Sequence, residues 1–125
     1  MKQILIVEDK PASRELLRTV LERQGYEVTE AEDGEDALVK VRDYVPDLVL
    51  LDLQMPLRNG YDVLKEMRRD SRLVNVPVVA ITANAMPEDR EKVMAAGFNG
   101  YIPKPVALAR LREEVSRILG GPPAS

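Results

Sequence analysis

The stretch Leu48-Val49-Leu50-Leu51-Asp52 places four consecutive apolar side chains directly before a carboxylate. A continuous apolar run of this length is typical of a parallel strand that is buried on both faces. Two other runs have the same form: Ile4-Leu5-Ile6-Val7 leads into Glu8-Asp9, and Val78-Val79-Ala80-Ile81 leads into Thr82. The repeated form predicts several parallel strands that each deliver a polar side chain at the carboxyl end.

Strand-like and helix-like segments alternate along the whole chain. Short strands are predicted at residues 4–7, 28–31, 48–51, 78–81 and 100–102, and a segment with helical spacing follows each of them. The first two helices carry apolar stripes, formed by Leu16, Leu17, Val20 and Leu21 and by Ala37, Leu38, Val41 and Val45. Residues typical of helix ends are found at Pro11, Gly25, Asp33, Pro46, Pro87 and Gly120.

This alternation predicts the fold class. Strict strand–helix alternation implies βαβ units with right-handed crossovers and one parallel sheet. Five such pairs predict an α/β protein of the flavodoxin-like, doubly wound (βα)5 type, with a five-stranded parallel sheet of order 2-1-3-4-5 and helices on both faces.

The composition limits both the partners and the chemistry. A formal net charge of −3 argues against direct binding of nucleic acid, which would need a strong local basic patch. No apolar stretch approaches the ~20 residues that membrane insertion requires. Histidine and cysteine are absent, which excludes imidazole and thiol chemistry within this chain and agrees with a cytoplasmic location. We expect one domain over residues 1–119 and a flexible tail or linker stump over residues 120–125.

The polar residues at the strand ends form the candidate site. In an open α/β sheet, ligands bind at the carboxyl ends of the strands, near the point where the strand order reverses. That point lies between Glu8-Asp9 and Asp52, and Thr82 and Lys104 should lie at the same crevice. Three carboxylates repel one another unless a cation neutralises them, and Mg²⁺ prefers such oxygen ligands. The set suits a phosphoryl group and a hard divalent cation.

Each of these residues has a predicted role. Asp52 ends a central apolar strand and is the best candidate for a nucleophile that would form an aspartyl phosphate. Glu8 and Asp9 would hold Mg²⁺. Lys104 would place a positive charge on a phosphoryl oxygen, and Thr82 would donate a hydrogen bond to the same group.

The chain resembles the receiver domains of two-component response regulators, of the single-domain CheY-like kind, over residues 2–119. The resemblance rests on five motifs in receiver order and spacing: Ile4-Leu5-Ile6-Val7-Glu8-Asp9, Leu50-Leu51-Asp52-Leu53-Gln54-Met55-Pro56, Asn59-Gly60, Ile81-Thr82-Ala83 and Lys104-Pro105. It implies that Asp52 is the phosphoryl acceptor. It also implies Mg²⁺ ligation by Glu8, Asp9, Asp52 and the backbone carbonyl of Gln54.

The same resemblance implies how the signal leaves the site. Lys104 and Thr82 would contact the phosphoryl group, Tyr101 would be the switch aromatic, and the peptide bond before Pro105 would be cis. The donor would be a phosphohistidine on a sensor histidine kinase or a histidine phosphotransfer protein. Phosphorylation would change the surface formed by the fourth helix, fifth strand and fifth helix, which a downstream protein would read. The protein would be a monomer or a weak phosphorylation-dependent dimer, and not a turnover enzyme on a separate substrate.

Three other functions stay open on the residues alone. A Mg²⁺-dependent phosphohydrolase of the haloacid dehalogenase kind also has an Asp after an apolar strand, but it needs a second Asp where this chain has Gln54. A flavodoxin needs a phosphate loop rich in glycine and hydroxyls, and aromatic platforms, whereas this chain has Glu8-Asp9-Lys10-Pro11, no Trp and one Phe. A degenerate receiver that serves only for docking would not need Thr82 and Lys104 beside the acids.

Overall fold

The computed structural model describes residues 1–55, 59–84 and 86–120, and it alternates strands and helices throughout. The strands are β1 (Gln3–Val7), β2 (Glu27–Ala31), β3 (Leu48–Asp52), β4 (Val78–Thr82) and β5 (Gly100–Pro103). The helices are α1 (Pro11–Arg23), α2 (Gly34–Asp43), α3 (Gly60–Arg69), α4 (Pro87–Ala95) and α5 (Leu108–Leu119). All strand pairings are parallel, in the order β2-β1-β3-β4-β5. The predicted fold class and strand order are confirmed.

The register of the sheet brings the strand ends level with one another. Val7 pairs with Leu51, so the residues that follow β1 lie beside the end of β3. Asp52 pairs with Ile81, and Thr82 pairs with Pro103. Because the strands run in one direction, the side chains after all four paired ends face the same edge of the sheet.

Alternate residues of each strand enter two separate cores, because successive side chains of a strand point to opposite faces. On one face, Leu5, Val49 and Ala80 pack with apolar side chains of α2, α3 and α4. On the other face, Leu50 and Ile81 pack with side chains of α1 and α5. Strands with both faces covered have no exposed apolar side, which explains the continuous apolar runs in the sequence.

The helix ends match the capping residues seen in the sequence. Asp33 accepts a hydrogen bond from the backbone N–H of Asp36, 2.8 Å away, and so caps α2. Pro11 and Pro87 are the first residues of α1 and α4, and Gly120 ends α5 with a left-handed φ of 84°. Pro11, Asp33 and Pro87 thus mark the starts of three helices, and Gly120 marks the end of α5.

Two positions of the predicted apolar stripes are wrong. Leu16 is 51% exposed, because the buried face of α1 is formed by Leu17, Val20 and Leu21 instead. Val45 is 42% exposed, since α2 ends at Asp43 and the chain is extended from the next residue onward. Both errors come from assigning one residue too many to a helical stripe, and neither affects the site.

Parts of the sequence-based interpretation concern residues outside the described ranges. Pro56 of the third-strand motif is one of these, and so are residues 121–125 of the expected tail. Among the helices that are described, none combines the length and the hydropathy that crossing a bilayer would need.

Candidate functional site

Three carboxylates meet at the carboxyl edge of the sheet. Asp52 is the last residue of β3 and is fully buried, and Glu8 follows β1 and is 1% exposed. The backbone N–H of Glu8 donates to the carbonyl of Ala31, so the strand pairing holds Glu8 in place beyond the last residue of β1. Oxygen atoms of Glu8, Asp9 and Asp52 all lie within 4.8 Å of one another. The structure therefore brings together the three acids predicted from the strand ends.

Among the residues that the structure describes, the ammonium group of Lys104 forms ion pairs with this cluster. Lys104 Nζ lies 2.8 Å from Asp52 Oδ2 and 3.6 Å from Glu8 Oε2. The backbone N–H of Lys104 donates to the carbonyl of Thr82 at 2.8 Å, which continues the β4–β5 pairing, and the Lys104–Pro105 peptide bond is cis. Lys104 thus reaches the acids from the strand two positions away in the sheet.

The electrostatics of the cluster follow from burial and from like charges. Burial raises the pKa of Glu8 from 4.5 to about 7, and the hydrogen bond and charge of Asp52 act in the same direction. The backbone N–H of Lys10 and the ammonium of Lys104 oppose this rise only in part. Burial alone would lower the pKa of Lys104, but its hydrogen bond and attraction to Asp52, and then to Glu8, raise it instead. The ammonium is therefore held charged, and it is paired with both Asp52 and Glu8.

The acid cluster fits a hard divalent cation. The Oδ1 atom of Asp9 is buried and has no hydrogen-bond partner among the described residues. A buried carboxylate oxygen without a partner is costly unless a ligand occupies it. The donors in the cluster are oxygens only, as Mg²⁺ prefers. Gln54, whose backbone carbonyl the family resemblance adds to the set, lies at the same edge, and its backbone N–H donates to Asp52 Oδ1 at 2.9 Å.

Arg14 supports the loop that carries two of the acids, a contact that the sequence analysis missed. Its guanidinium donates to the backbone carbonyls of Glu8 and Asp9, at 2.9 Å and 3.3 Å. Its charge is partly balanced by Glu30, 3.8 Å away. The available signal was an arginine one turn into the helix that directly follows the acids, where it can reach back to their backbone.

Thr82 is buried beside the acids but its hydroxyl is already engaged. Thr82 is 1% exposed, and its Oγ1 accepts hydrogen bonds from Gln54 Nε2 at 2.9 Å and from the backbone N–H of Asn84 at 3.0 Å. The side chain of Gln54 also accepts from the backbone N–H of Ala83 at 3.0 Å. The family resemblance pointed to the backbone carbonyl of Gln54, and nothing in the sequence indicated this bridge by its side chain.

Tyr101 lies apart from the acids, within β5, and it is only 8% exposed. Arg90 of α4 donates from Nε to its hydroxyl at 2.9 Å. The guanidinium carbons of Arg90 and Arg110 lie 4.9 Å and 5.4 Å from the centre of its ring. Two cations from α4 and α5 therefore hold the side chain in its buried position, and neither was identified from the sequence.

Comparison with known proteins gives a consistent result. The family model described as the response regulator receiver domain matches residues 4–116. The chain is 38% identical over 119 residues to the polar-differentiation response regulator DivK of Brucella anthropi, which covers 95% of this chain and 97% of that protein. The DivK protein of Brucella ovis is similar to the same extent.

Solved structures of similar proteins have the same fold. The chemotaxis protein CheY4 of Vibrio cholerae has a TM-score of 0.88 and 30% identity, over 94% of this chain and 98% of that one. A sensor histidine kinase of Pseudomonas aeruginosa has a receiver domain with a TM-score of 0.87 and 35% identity, over 96% and 98% of the two chains. That receiver domain is described with a magnesium ion coordinated in its active site cleft.

Proposed function

This chain belongs to the response regulator receiver domain family, and on that premise we propose that Asp52 accepts a phosphoryl group from a phosphohistidine on a partner protein. The partner would be a sensor histidine kinase or a histidine phosphotransfer protein. The observation that carries the proposal is the buried Asp52 carboxylate, held 2.8 Å from Lys104 Nζ and within 4.8 Å of two other acids.

The transfer would be a direct displacement at phosphorus. A carboxylate oxygen of Asp52 forms a bond to the phosphorus as the phosphorus–nitrogen bond of the donor histidine breaks, and the imidazole leaves with the electron pair and takes a proton. Lys104 Nζ contacts the Asp52 carboxylate before transfer and lies near enough to contact a phosphoryl oxygen after it. Its positive charge would stabilise the negative charge in both states. Buried groups that are already oriented need little reorganisation as the charge moves.

Mg²⁺ would be held by Glu8, Asp9, Asp52 and the carbonyl of Gln54. Once bound, the ion would neutralise the crowded carboxylates and attract the phosphoryl oxygens. The unpartnered Oδ1 of Asp9 and the short distances between the acids support this ligand set. Arg14 would keep Glu8 and Asp9 in position by holding their backbone carbonyls.

The protein would be both the catalyst and the substrate of one phosphoryl transfer, and not an enzyme that turns over a separate substrate. The output would be a shift between two conformations. The Thr82 hydroxyl would move to donate to the phosphoryl group, Tyr101 would respond, and the surface of α4, β5 and α5 would change its affinity for a downstream protein. The end of α5 at Leu119 supports a receiver unit that spans residues 1–119.

Intact-mass measurement tests the acceptor directly. The wild-type protein with Mg²⁺ and a small acyl phosphate should gain the mass of one phosphoryl group, and hydroxylamine, which cleaves acyl phosphates, should remove it. Asp52→Asn should abolish the gain because the nucleophilic carboxylate is lost. The matched control is Asp43→Asn, which makes the same change at the end of α2 and should gain the mass normally. No gain in the wild type with Mg²⁺ bound, or a normal gain in Asp52→Asn, would refute the proposal.

A further inference from the structure

The side chain of Gln54 connects the two loops that border the acid cluster. Gln54 follows β3, and its Nε2 donates to Thr82 Oγ1 at 2.9 Å. Its Oε1 accepts from the backbone N–H of Ala83 at 3.0 Å, just after the end of β4. The side chain therefore makes two hydrogen bonds to consecutive residues at the carboxyl end of β4, the last residue of the strand and the first residue after it.

The chemistry of these partners fixes the orientation of the amide. A backbone N–H can only donate, so the amide oxygen of Gln54 must face Ala83. The amide NH₂ then faces Thr82, whose hydroxyl oxygen has two lone pairs. The backbone N–H of Asn84 occupies the other one, at 3.0 Å. Both acceptor positions of the Thr82 hydroxyl are therefore filled in this arrangement.

The same residue also contacts the carboxylate that would be phosphorylated. The backbone N–H of Gln54 donates to Asp52 Oδ1 at 2.9 Å. Gln54 thus forms hydrogen bonds with Asp52 on one side and with Thr82 and Ala83 on the other, so it links the acceptor to both residues. A tight bridge of this kind gives a phosphoryl group on Asp52 a direct way to affect the loop after β4.

We propose that the Gln54 side chain is a latch that holds Thr82 and Ala83 in the resting arrangement and is released when Asp52 is phosphorylated. This inference rests on the proposed function, since the release is driven by the phosphoryl group. The bond from Gln54 Nε2 holds the Thr82 oxygen at its resting position, so it opposes movement of that hydroxyl towards the phosphoryl group. Gln54 is therefore a positioning residue that acts through Thr82, and the latch opposes activation.

Hydrogen exchange in the unphosphorylated protein tests the contact itself. Gln54→Met keeps the length of the side chain but removes both hydrogen bonds, so the amide of Ala83 should exchange about fivefold to tenfold faster, as expected for one lost hydrogen bond. Gln54→Glu keeps an acceptor for that amide, and its exchange should stay close to that of the wild type. Gln24→Met, which makes the same substitution at the end of α1, should have no effect on Ala83.

Binding of a phosphoryl mimic tests the latch. With Mg²⁺ present, Gln54→Met should bind beryllofluoride several-fold more tightly than the wild type and Gln24→Met, because no latch has to be broken. Unchanged Ala83 exchange in Gln54→Met, or unchanged or weaker beryllofluoride binding, overturns the inference. Failure of the proposed function is a separate result, since it appears as a wild-type protein that gains no phosphoryl mass.

Discussion

At the scale of single residues, the site places buried carboxylates next to fewer positive charges than would neutralise them. Glu8 and Asp52 are both buried, and Lys104 is the cation that forms ion pairs with them in the part of the chain that the structure describes. Buried like charges are unfavourable, so one carboxylate takes up a proton at a pH where an exposed carboxylate would be ionised. Burial and the neighbouring Asp52 raise the pKa of Glu8 to about 7, so Glu8 is the carboxylate expected to keep a proton close to neutral pH. A divalent cation would displace the proton, and the metal-free protein should therefore respond to pH near neutrality.

We predict that the free energy of unfolding of the metal-free protein falls as the pH rises from about 5 to about 7. Folded Glu8 keeps its proton up to about pH 7, whereas unfolded Glu8 loses it near its ordinary pKa of 4.5. In this window the folded state binds more protons, so linkage makes stability decrease with pH, by about 1–3 kcal/mol in total. Urea unfolding without Mg²⁺ at both ends of the window measures the change.

The control variants isolate Glu8 in that experiment. Glu8→Gln cannot titrate, so most of the fall should disappear. Glu15→Gln makes the same change at an exposed position of α1 and should keep the fall. A fall of equal size in the wild type and in Glu8→Gln would show that another group is responsible.

At the scale of elements, the caps decide where helices start relative to the site. Asp33 caps α2 and Asn59 caps α3 through one side-chain oxygen each, at 2.8 Å and 3.1 Å. Each oxygen satisfies an N–H that has no partner within its helix.

We predict that Asp33→Ala lowers the free energy of unfolding by about 1 kcal/mol, because an N–H at the start of α2 loses its acceptor. Asp33→Ser retains a capping oxygen and should stay within a few tenths of a kcal/mol of the wild type. Chemical denaturation of the three proteins under one set of conditions measures the difference. Equal stability of the Ala and Ser variants would contradict the assigned role of the cap.

At the scale of the whole molecule, much of the fold could be predicted because its signals are local. The apolar run before Asp52 needs no partner to be recognised, and Asp33 and Pro11 mark helix starts by their own chemistry. Once the strands are known to be parallel, their carboxyl ends must lie at the same edge of the sheet. For the same reason Glu8 and Lys104, 96 positions apart in the chain numbering, could be assigned to one crevice before any coordinates were known.

The contacts that the sequence analysis missed are long-range and depend on side-chain direction. Gln54 and Thr82 are 28 residues apart, and no periodic pattern indicates that the amide of Gln54 reaches the hydroxyl at the end of β4. The two arginines that hold Tyr101 come from different helices and read in the sequence as ordinary solvated residues. Leu16 was misplaced because helical spacing alone does not determine how wide the buried face is.

Asp52 is proposed as the residue that carries the phosphoryl group, and the position of the modified residue in the chain decides whether it does. Borohydride reduces an acyl phosphate to an alcohol, so treatment of the phosphorylated protein should convert the acceptor aspartate to homoserine. Peptide mass mapping should then find homoserine at position 52 only, and only when both Mg²⁺ and the phosphodonor were present. Homoserine at another aspartate, or an unmodified Asp52 in protein that has gained a phosphoryl group, would contradict the account.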